Sequence, residues 1–242
     1  MNINHTHLPE WLAYNWIFRK LFLFRKLFLT RSRFTHYGQM AEDVSLKKFF
    51  PKSYKGFFVD VGCFHPVKYN NTYFFYRKRG WRGINIDIDS IKVEGFNLMR
   101  PGDTNICRAV SNTSGEVTYW TNGFYTPTVT LDKEFTEERS GKKYQYVPKT
   151  VKAERLTDII DQTQYKGQAI DLLSIDVEGH DFQVLDGLDF EVYAPKIIAV
   201  ETQFTELGQI QEESVYKLLM SKNYKLVNWV GMTLIFKHPA FN

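Results

Sequence analysis

The chain has 242 residues, a formal net charge of +4, and 43% hydrophobic and 16% aromatic residues. This length suits one domain with or without an appendage, and it is long enough to bury a substantial core. The mild positive charge does not predict a large nucleic-acid-binding face. The only cysteines, Cys63 and Cys107, provide neither a disulfide framework nor a zinc-site spacing, which is typical of a reducing cytoplasm.

Residues 11–34 are rich in aromatic, leucine and basic residues, and apolar side chains recur there at helical spacing, at Tyr14, Ile17, Leu21, Phe24 and Phe28. Charged residues interrupt the stretch too often for it to span a bilayer. Two alternatives remain, a helix lying on a membrane surface and a helix packing on the domain or on a second subunit of a homodimer. We assign 1–37 to this basic, aromatic helical appendage and 38–242 to the main domain.

No signal peptide is evident, because the N-terminal stretch lacks a clean apolar segment followed by small residues. The protein is therefore expected in the cytoplasm, or peripheral to the inner face of the membrane if the appendage binds lipid. We expect no nucleic-acid partner.

The main domain begins with a predicted helix at 38–50, ended by Pro51. An apolar run over 57–61 then stops at an acid and a glycine, Asp60 and Gly62, and a second run over 83–89 also ends in acids. Residues 71–80 lie between them and predict a helix with a glycine stop. This pattern indicates a strand–helix–strand unit, in which ligands bind at the carboxyl ends of the strands.

Two nucleotide-like ligands compete for this unit. A dinucleotide needs G-x-G-x-x-G, but this loop has only Gly62, and the bulky residues 63–65 would hold a pyrophosphate away from the backbone. S-adenosylmethionine has no phosphate and needs a carboxylate for its ammonium group, amides for its carboxylate and an acid for its ribose diol. Asp60, Gly62 and Asp87 could supply these groups. A purely structural turn is the third alternative.

The rest of the domain continues the alternation of strand and helix. Strands are predicted at 104–110, 116–120, 169–175 and 196–200, and helices at 158–161 and 182–188; residues 121–149 are predicted to be an insertion or flap. Four acids follow apolar strands, at Asp60, Asp87, Asp176 and Glu201. Since the carboxyl ends of parallel strands share one edge of a sheet, these acids predict a polar site there.

The densest group of chemically capable residues is Asp176, Glu178, His180 and Asp181. A carboxylate or His180 could act as a general base, whereas acids here could also simply cap the following helix. A magnesium or calcium ion is conceivable, but the spacing does not demand one, and we predict no metal. His65, on the first loop, is a second candidate base.

Several of these segments together resemble the FkbM family of S-adenosylmethionine-dependent methyltransferases. The matching pieces are 38–43, 59–66, 70–72, 80–87, 171–179, 184–187 and 198–201, and the block around Asp176-Val177-Glu178-Gly179 is the most specific of them. The resemblance implies a Rossmann-like class I methyltransferase, an α/β fold with a mostly parallel seven-stranded sheet and helices on both faces.

The same resemblance implies methylation of a hydroxyl oxygen, with S-adenosylmethionine as cofactor and a small molecule or glycan as acceptor, as in surface polysaccharide or polyketide tailoring. By matching, the donor-binding residues would be Asp60, Gly62, Cys63, Phe64, Asp87, Ala109 and Asp176. Catalysis would fall to Asp176, Glu178, His180 or His65. Two departures from the family pattern, at 63–65 and at 180–181, leave the identity of the base open.

Overall fold

The structure is a computed structural model that describes residues 15–24, 35–123, 126, 129–131, 146–204 and 206–241. The chain divides into two compact units, Met1–Thr35 and His36–Asn242. Most of the predicted flap at 121–149 lies outside the described residues, and so do both ends of the predicted N-terminal helix.

The first unit contains helix α1, Trp16–Phe24. Asn15 precedes it, and its Oδ1 accepts hydrogen bonds from the backbone N of Ile17 and of Phe18, both at 3.1 Å. This contact satisfies amides that no helical carbonyl can reach. Large apolar side chains of α1 are more than half exposed, at Trp16, Ile17, Leu21 and Phe24. Within the described part of the chain, no helix has the length and apolar character needed to cross a bilayer.

The second unit alternates strands and helices. In chain order it contains α2 (Glu42–Leu46), β1 (Phe57–Val61), a π-helical turn (Phe75–Arg79), β2 (Arg82–Asp87), α3 (Ser90–Met99), β3 (Thr104–Cys107), β4 (Ala109–Val110), β5 (Gly115–Thr121), β6 (Val129–Thr130), β7 (Val147–Glu154), α4 (Leu156–Asp161), β8 (Leu172–Ile175), α5 (Asp181–Asp186), β9 (Ile197–Glu201), α6 (Leu207–Ile210), α7 (Ser214–Ser221), β10 (Lys225–Val230) and β11 (Thr233–Lys237).

The centre of this unit is a seven-stranded sheet in the order β10-β11-β9-β8-β1-β2-β3. The pairs from β3 to β9 are parallel, whereas β11 runs antiparallel to both of its neighbours. The prediction of a mostly parallel seven-stranded sheet is therefore confirmed. The chain winds outward from β1 in one direction and from β8 in the other, so the strand order reverses between these two. Such a switch point is where an open α/β sheet opens a crevice for a ligand.

Helices cover both faces of the sheet, as predicted. Along β1, successive side chains point to opposite faces, so Phe57, Val59 and Val61 enter one buried core and Phe58 enters the other. The first core also contains side chains from α4, α5 and α7, and the second contains side chains from α2 and the π-helical turn. A strand buried on both faces is expected to be continuously apolar, as 57–59 is.

The single strand predicted at 104–110 is wrong, because the chain changes sheets at Arg108. β3 pairs with β2, whereas β4 pairs with β7 in a second sheet of order β4-β7-β5-β6. The backbone N of Arg108 donates to the Asp87 carbonyl at 3.0 Å, and its Nε donates to Glu154 Oε2 at 2.6 Å. These two contacts hold the crossover between the sheets.

The helix predicted at 38–50 is shorter in the structure, where α2 covers only Glu42–Leu46. Ala41 is left-handed at φ 66°, and the Glu42 carboxylate accepts the backbone N of Met40 at 2.9 Å, so the preceding residues form a turn. The glycine stop of the next predicted helix is confirmed, since Gly80 ends the π-helical turn at φ 67°.

Candidate active site

A cavity of about 280 Å³ opens at the carboxyl edge of the sheet, at the switch point beside β1, β2 and β8. Most of the predicted site residues line it, namely Gly62, Phe64, Asp87, Ala109, Asp176, Glu178 and His180. Three others, Asp60, Cys63 and His65, are not in its wall. The parallel register explains the convergence, because residues that follow neighbouring parallel strands meet at one edge.

The turn after β1 depends on Gly62, which has φ 77°. A Cβ added there would lie 1.8 Å from the carbonyl oxygen of Asp176, so the backbone leaving β1 touches the backbone leaving β8. The backbone N of Gly62 and that of Cys63 both donate to the Ile86 carbonyl, at 2.9 and 3.2 Å. Gly62 therefore permits a close crossing of two chains, and its amide is already used inside the protein.

Asp87, the last residue of β2, is buried in the wall of the cavity. Its Oδ2 accepts the backbone N of Phe64 at 3.0 Å, its Oδ1 accepts that of Asp89 at 2.9 Å, and Lys92 Nζ lies 3.7 Å from Oδ1. Burial raises the pKa of Asp87, and the charge of Lys92 opposes that rise. Since each carboxylate oxygen carries two lone pairs, both retain capacity to accept a ligand hydroxyl.

Asp60 lies inside β1 and supports a neighbouring loop. Its Oδ2 accepts hydrogen bonds from Asn70 Nδ2 at 2.9 Å and from Thr72 Oγ1 at 2.8 Å. Arg100 Nη1 contacts Asn70 Oδ1 and Thr72 Oγ1, each at 3.2 Å. Burial raises the pKa of Asp60, and Arg100 opposes that rise. The structure therefore places Asp60 as an anchor for residues 70–72, outside the cavity wall.

Cys63 and His65, on the loop after β1, are the other two predicted site residues outside the cavity wall. Cys63 is buried, and burial raises the pKa of its thiol well above the ordinary range. His65 Nδ1 accepts the backbone N of Val67 and of Lys68, both at 3.0 Å, and burial lowers the pKa of the ring. Because Nδ1 accepts these amides, the proton of the neutral ring is on Nε2, and this arrangement does not favour His65 as a base.

The loop from β8 to α5 is built around Asp181. Its Oδ1 accepts the backbone N of Val177 at 3.4 Å and its Oδ2 accepts that of Gly179 at 3.2 Å. Burial raises the pKa of Asp181 to about 6. Glu178, between those two amides, has φ 55°, a strained conformation for a residue with a side chain, and it faces the cavity. Asp181 therefore ties the loop together rather than capping α5, whose start has no side-chain cap, and Glu178 lines the cavity.

Asp176 and Glu201 form a pair across adjacent strands. Ile175, the last residue of β8, lies opposite Val200 of β9, so Asp176, just after β8, and Glu201, the last residue of β9, come next on neighbouring segments at one edge of the sheet. A hydrogen bond between their carboxyl groups needs a proton on one of them, because two ionised carboxylates have no donor. Burial raises the pKa of both groups, and repulsion between them and from Glu178 adds to the rise.

His180 lies at the start of α5 and also lines the cavity. Its Nε2 is 3.2 Å from Ser111 Oγ, in the loop that leaves β4. Burial lowers the pKa of His180, so its ring is neutral at physiological pH and can accept a proton.

Several residues of the cavity wall were not predicted from the sequence. Gln39 and Tyr69 stand where the cavity meets a smaller crevice, and Lys92 and Arg108 add positive charge. Tyr69 is 60% exposed with φ 53°, an unusual conformation for an aromatic residue that often marks a functional site. Lys92 belongs to a helix that was not predicted, although Asp89 caps that helix and was a usable signal.

The described residues include no group of three or more His, Cys, Asp or Glu side chains arranged to hold a metal ion. The chemical groups in the described cavity wall are carboxylates, one imidazole, two cationic side chains, the Gln39 amide and the Tyr69 hydroxyl.

Comparison with known proteins finds a family model and solved structures that match this chain. The model of the methyltransferase FkbM domain matches residues 60–226. The crystal structure of methyltransferase FkbM from Methylobacillus flagellatus KT is 14% identical, with a TM-score of 0.43, and the match covers 76% of this chain. The chain spans only 44% of the length of that protein. No curated protein matched.

Proposed function

Because this chain belongs to the FkbM methyltransferase family, we propose that it transfers a methyl group from S-adenosylmethionine to a hydroxyl oxygen of a small molecule or glycan. The observation that carries the proposal is the cavity at the switch point, which holds Asp87 at the end of β2 and Asp176 after β8. Asp87, which could accept hydrogen bonds from a ribose diol, and Asp176, which could face a cation, therefore line the same cavity.

The residues of the cavity fit this donor. The volume of the cavity, about 280 Å³, lies just below the usual range of small-molecule sites, about 300–1,000 Å³. Asp87 would accept from the ribose hydroxyls, Ile86 and Ile88 would contact the adenine, and Asp176 and Glu178 would face the positive charges. When bound, S-adenosylmethionine supplies a methyl group on a positively charged sulfur.

The loop after β1 disfavours the dinucleotide alternative. The amides of Gly62 and Cys63 donate to the Ile86 carbonyl, and that of Phe64 donates to Asp87. A pyrophosphate needs such amides to be directed at the ligand. These amides are used inside the protein, which counts against a pyrophosphate and also against the predicted role of the Gly62 amide in holding the carboxylate of S-adenosylmethionine.

The acceptor is proposed to enter from the crevice that adjoins the cavity. This crevice of about 30 Å³ shares Gln39, Tyr69 and Asp176 with the cavity, and its other polar walls come from Glu42, Asn71, Glu201 and Thr233. A crevice of this size can take one hydroxyl group of an acceptor, and its amide, hydroxyl and carboxyl groups can all exchange hydrogen bonds with it. A sugar hydroxyl is a weak acid, so a base close to it would lower the barrier.

The protein's own contribution is orientation and proton removal. Holding the hydroxyl in line for transfer provides much of the barrier reduction in a reaction of this kind. Asp176, Glu178 and His180 line the cavity and are the candidate bases.

Calorimetry with S-adenosylmethionine and with NAD tests the identity of the donor, and mass spectrometry of candidate sugars after the reaction tests the identity of the acceptor. Binding of NAD alone would reject the proposal.

Asp87→Ala is expected to weaken S-adenosylmethionine binding by about 1–3 kcal/mol, since it removes a charged hydrogen-bond acceptor. Calorimetry measures the change, and thermal unfolding checks that the variant is folded. Asp89→Ala is the matched control, because it also removes an acid but lies outside the cavity wall, where it caps α3 through Ile91. Equal donor affinity in wild type and Asp87→Ala would show that Asp87 does not hold the ribose.

We also propose that α1 attaches the protein to anionic membrane surfaces. Exposed Trp16 and Leu21 are the apolar side chains that an interfacial helix inserts, and exposed Lys20 is a basic one. The residues around α1 in sequence are rich in further basic side chains, each of which contributes about 1 kcal/mol near such a surface. Packing of α1 in a homodimer is the alternative.

The triple variant Trp16→Ser, Leu21→Ser, Phe24→Ser is expected to stay in the supernatant when anionic vesicles that sediment the wild type are spun down. The variant Leu98→Ser, Leu207→Ser is the control, since these side chains are exposed in the second unit. Donor binding should be unchanged in both. Equal sedimentation of wild type and triple variant would reject the membrane role, and a change from dimer to monomer would favour packing.

A further inference from the structure

We infer that Glu201 is a positioning residue, whose protonated carboxyl group donates a hydrogen bond to the ionised carboxylate of Asp176 and holds it as the base. This inference rests on the proposed function and goes beyond it. It identifies Asp176 as the base among the three candidates. It also assigns a role to Glu201, which lines the smaller crevice but not the main cavity.

Register forces the two side chains together. β8 and β9 are parallel, and the pair Ile175 and Val200 is the last one before Asp176 and Glu201. Neighbouring strands are about 4.8 Å apart, so two side chains at the same level and on the same face must meet. On the other side of β9, Thr233 of β11 lies opposite Glu201. Glu201 therefore lies in a strand that is paired on both sides, and Asp176 directly follows the last paired residue of β8.

Burial favours Glu201 as the member of the pair that carries the proton. Glu201 Oε2 is fully buried and has no hydrogen-bond partner among the described residues, whereas the side chain of Asp176 lines both the cavity and the crevice, where a ligand can compensate its charge. An uncompensated buried carboxylate is costly, but a buried carboxylic acid that donates a hydrogen bond is not. Negative charge is thus better placed on Asp176, and a proton on Glu201.

The charged groups around Asp176 and Glu201 also disfavour a second negative charge on the pair. The charged groups that face the pair from the neighbouring elements are acids, namely Glu178 and Asp181 from the loop and α5, Asp60 from β1 and Glu42 from the crevice, whereas Tyr69 in the crevice is neutral. Each negative charge added to this group opposes the next one. Asp176 and Glu201 together therefore carry a single negative charge near neutral pH. Their two protons are lost in two separate steps that belong to the pair as a whole.

The inferred step balances atoms and charge. The acceptor hydroxyl gives its proton to the Asp176 carboxylate as the new oxygen–carbon bond forms, and the breaking carbon–sulfur bond leaves its electron pair on the sulfur. The negative charge of the pair and the positive charge of the donor disappear together. Because Asp176 lines both the cavity and the crevice, it is the candidate base that lies between donor and acceptor.

Two substitutions of Glu201 separate a positioning role from simple packing. Glu201→Gln keeps the shape and a hydrogen-bond donor for Asp176, so methyl transfer is expected to stay within about 3-fold of wild type. Glu201→Leu removes the donor while filling similar space, and is expected to lower kcat by about 10-fold or more, the scale of a lost hydrogen bond to a charged group. Equal kcat in wild type and Glu201→Leu would overturn the inference.

An infrared measurement provides a readout that does not use activity. Slightly above neutral pH, the spectrum of wild type minus that of Glu201→Gln should contain the carbonyl band of one protonated carboxyl group. The band is expected with or without donor, and loss of a carboxylate band instead would overturn the inference even if Glu201→Leu fails to fold. Absence of donor binding by the wild type would reject the proposed function and leave this band as a separate result.

Discussion

Gly62→Ala is expected to lower the free energy of unfolding by about 2–5 kcal/mol and to abolish donor binding. Two costs add up at this residue. The φ of 77° is unfavourable for any side chain, and the new Cβ would lie 1.8 Å from the carbonyl oxygen of Asp176. Relief of that overlap requires β1 and β8 to separate at their carboxyl ends, which moves Asp176 away from the cavity. Chemical denaturation measures the stability, and calorimetry measures the binding of S-adenosylmethionine.

Gly167→Ala is the matched control for this experiment. Gly167 has φ 73°, but a Cβ added there would have no atom within 4 Å. Its substitution therefore costs only the left-handed backbone, about 1–2 kcal/mol, and should leave donor binding intact. If the two variants lose the same stability and both bind donor normally, the close crossing at Gly62 does not hold the site together.

Asp176→Asn is expected to lower methyl transfer by about 100-fold or more, the usual scale for loss of a general base. The amide has the same shape but cannot take a proton, and the loss of negative charge should also weaken binding of the cationic donor. Asp186→Asn, at the exposed end of α5, changes the same functional group outside the cavity and should leave the rate unaffected.

The pH dependence of this variant follows from the raised pKa of Asp176. The ionised form is the active one, and it is populated only as the pH rises through the raised pKa, so the wild-type rate should increase with pH over that interval. Asp176→Asn should lack this limb. If instead Glu178→Gln or His180→Ala loses the limb and Asp176→Asn keeps it, the base is Glu178 or His180.

Local sequence was sufficient to place the strand-end residues of the site. Asp87 and Asp176 follow apolar, β-branched runs that alternate with helices, and this alternation by itself implies parallel strands with a common edge. The seven-stranded sheet and the helices on both faces were predictable for the same reason. The turn at Gly62 was also predictable, since a glycine after a buried strand marks a backbone conformation or a close approach that other residues cannot provide.

Long-range contacts decided which polar groups remain available for chemistry. Asp60 has the same local pattern as Asp87, yet Asn70, Thr72 and Arg100 surround it, and no periodicity in the chain records that contact. The lone pair of His65 is taken by two amides of its own loop, which depends on the exact path of that loop.

The sequence by itself determined the fold class, the edge at which the site lies and the acids at the ends of the strands, because these follow from patterns within a few residues. Only the tertiary structure decided that Arg108 leaves one sheet for another, that Tyr69 and Lys92 reach the cavity, and that Glu201 meets Asp176. Each of these depends on register or on a crossing between segments far apart in the chain. Such placements arise from the packing of the whole domain, which the local pattern of side chains does not encode.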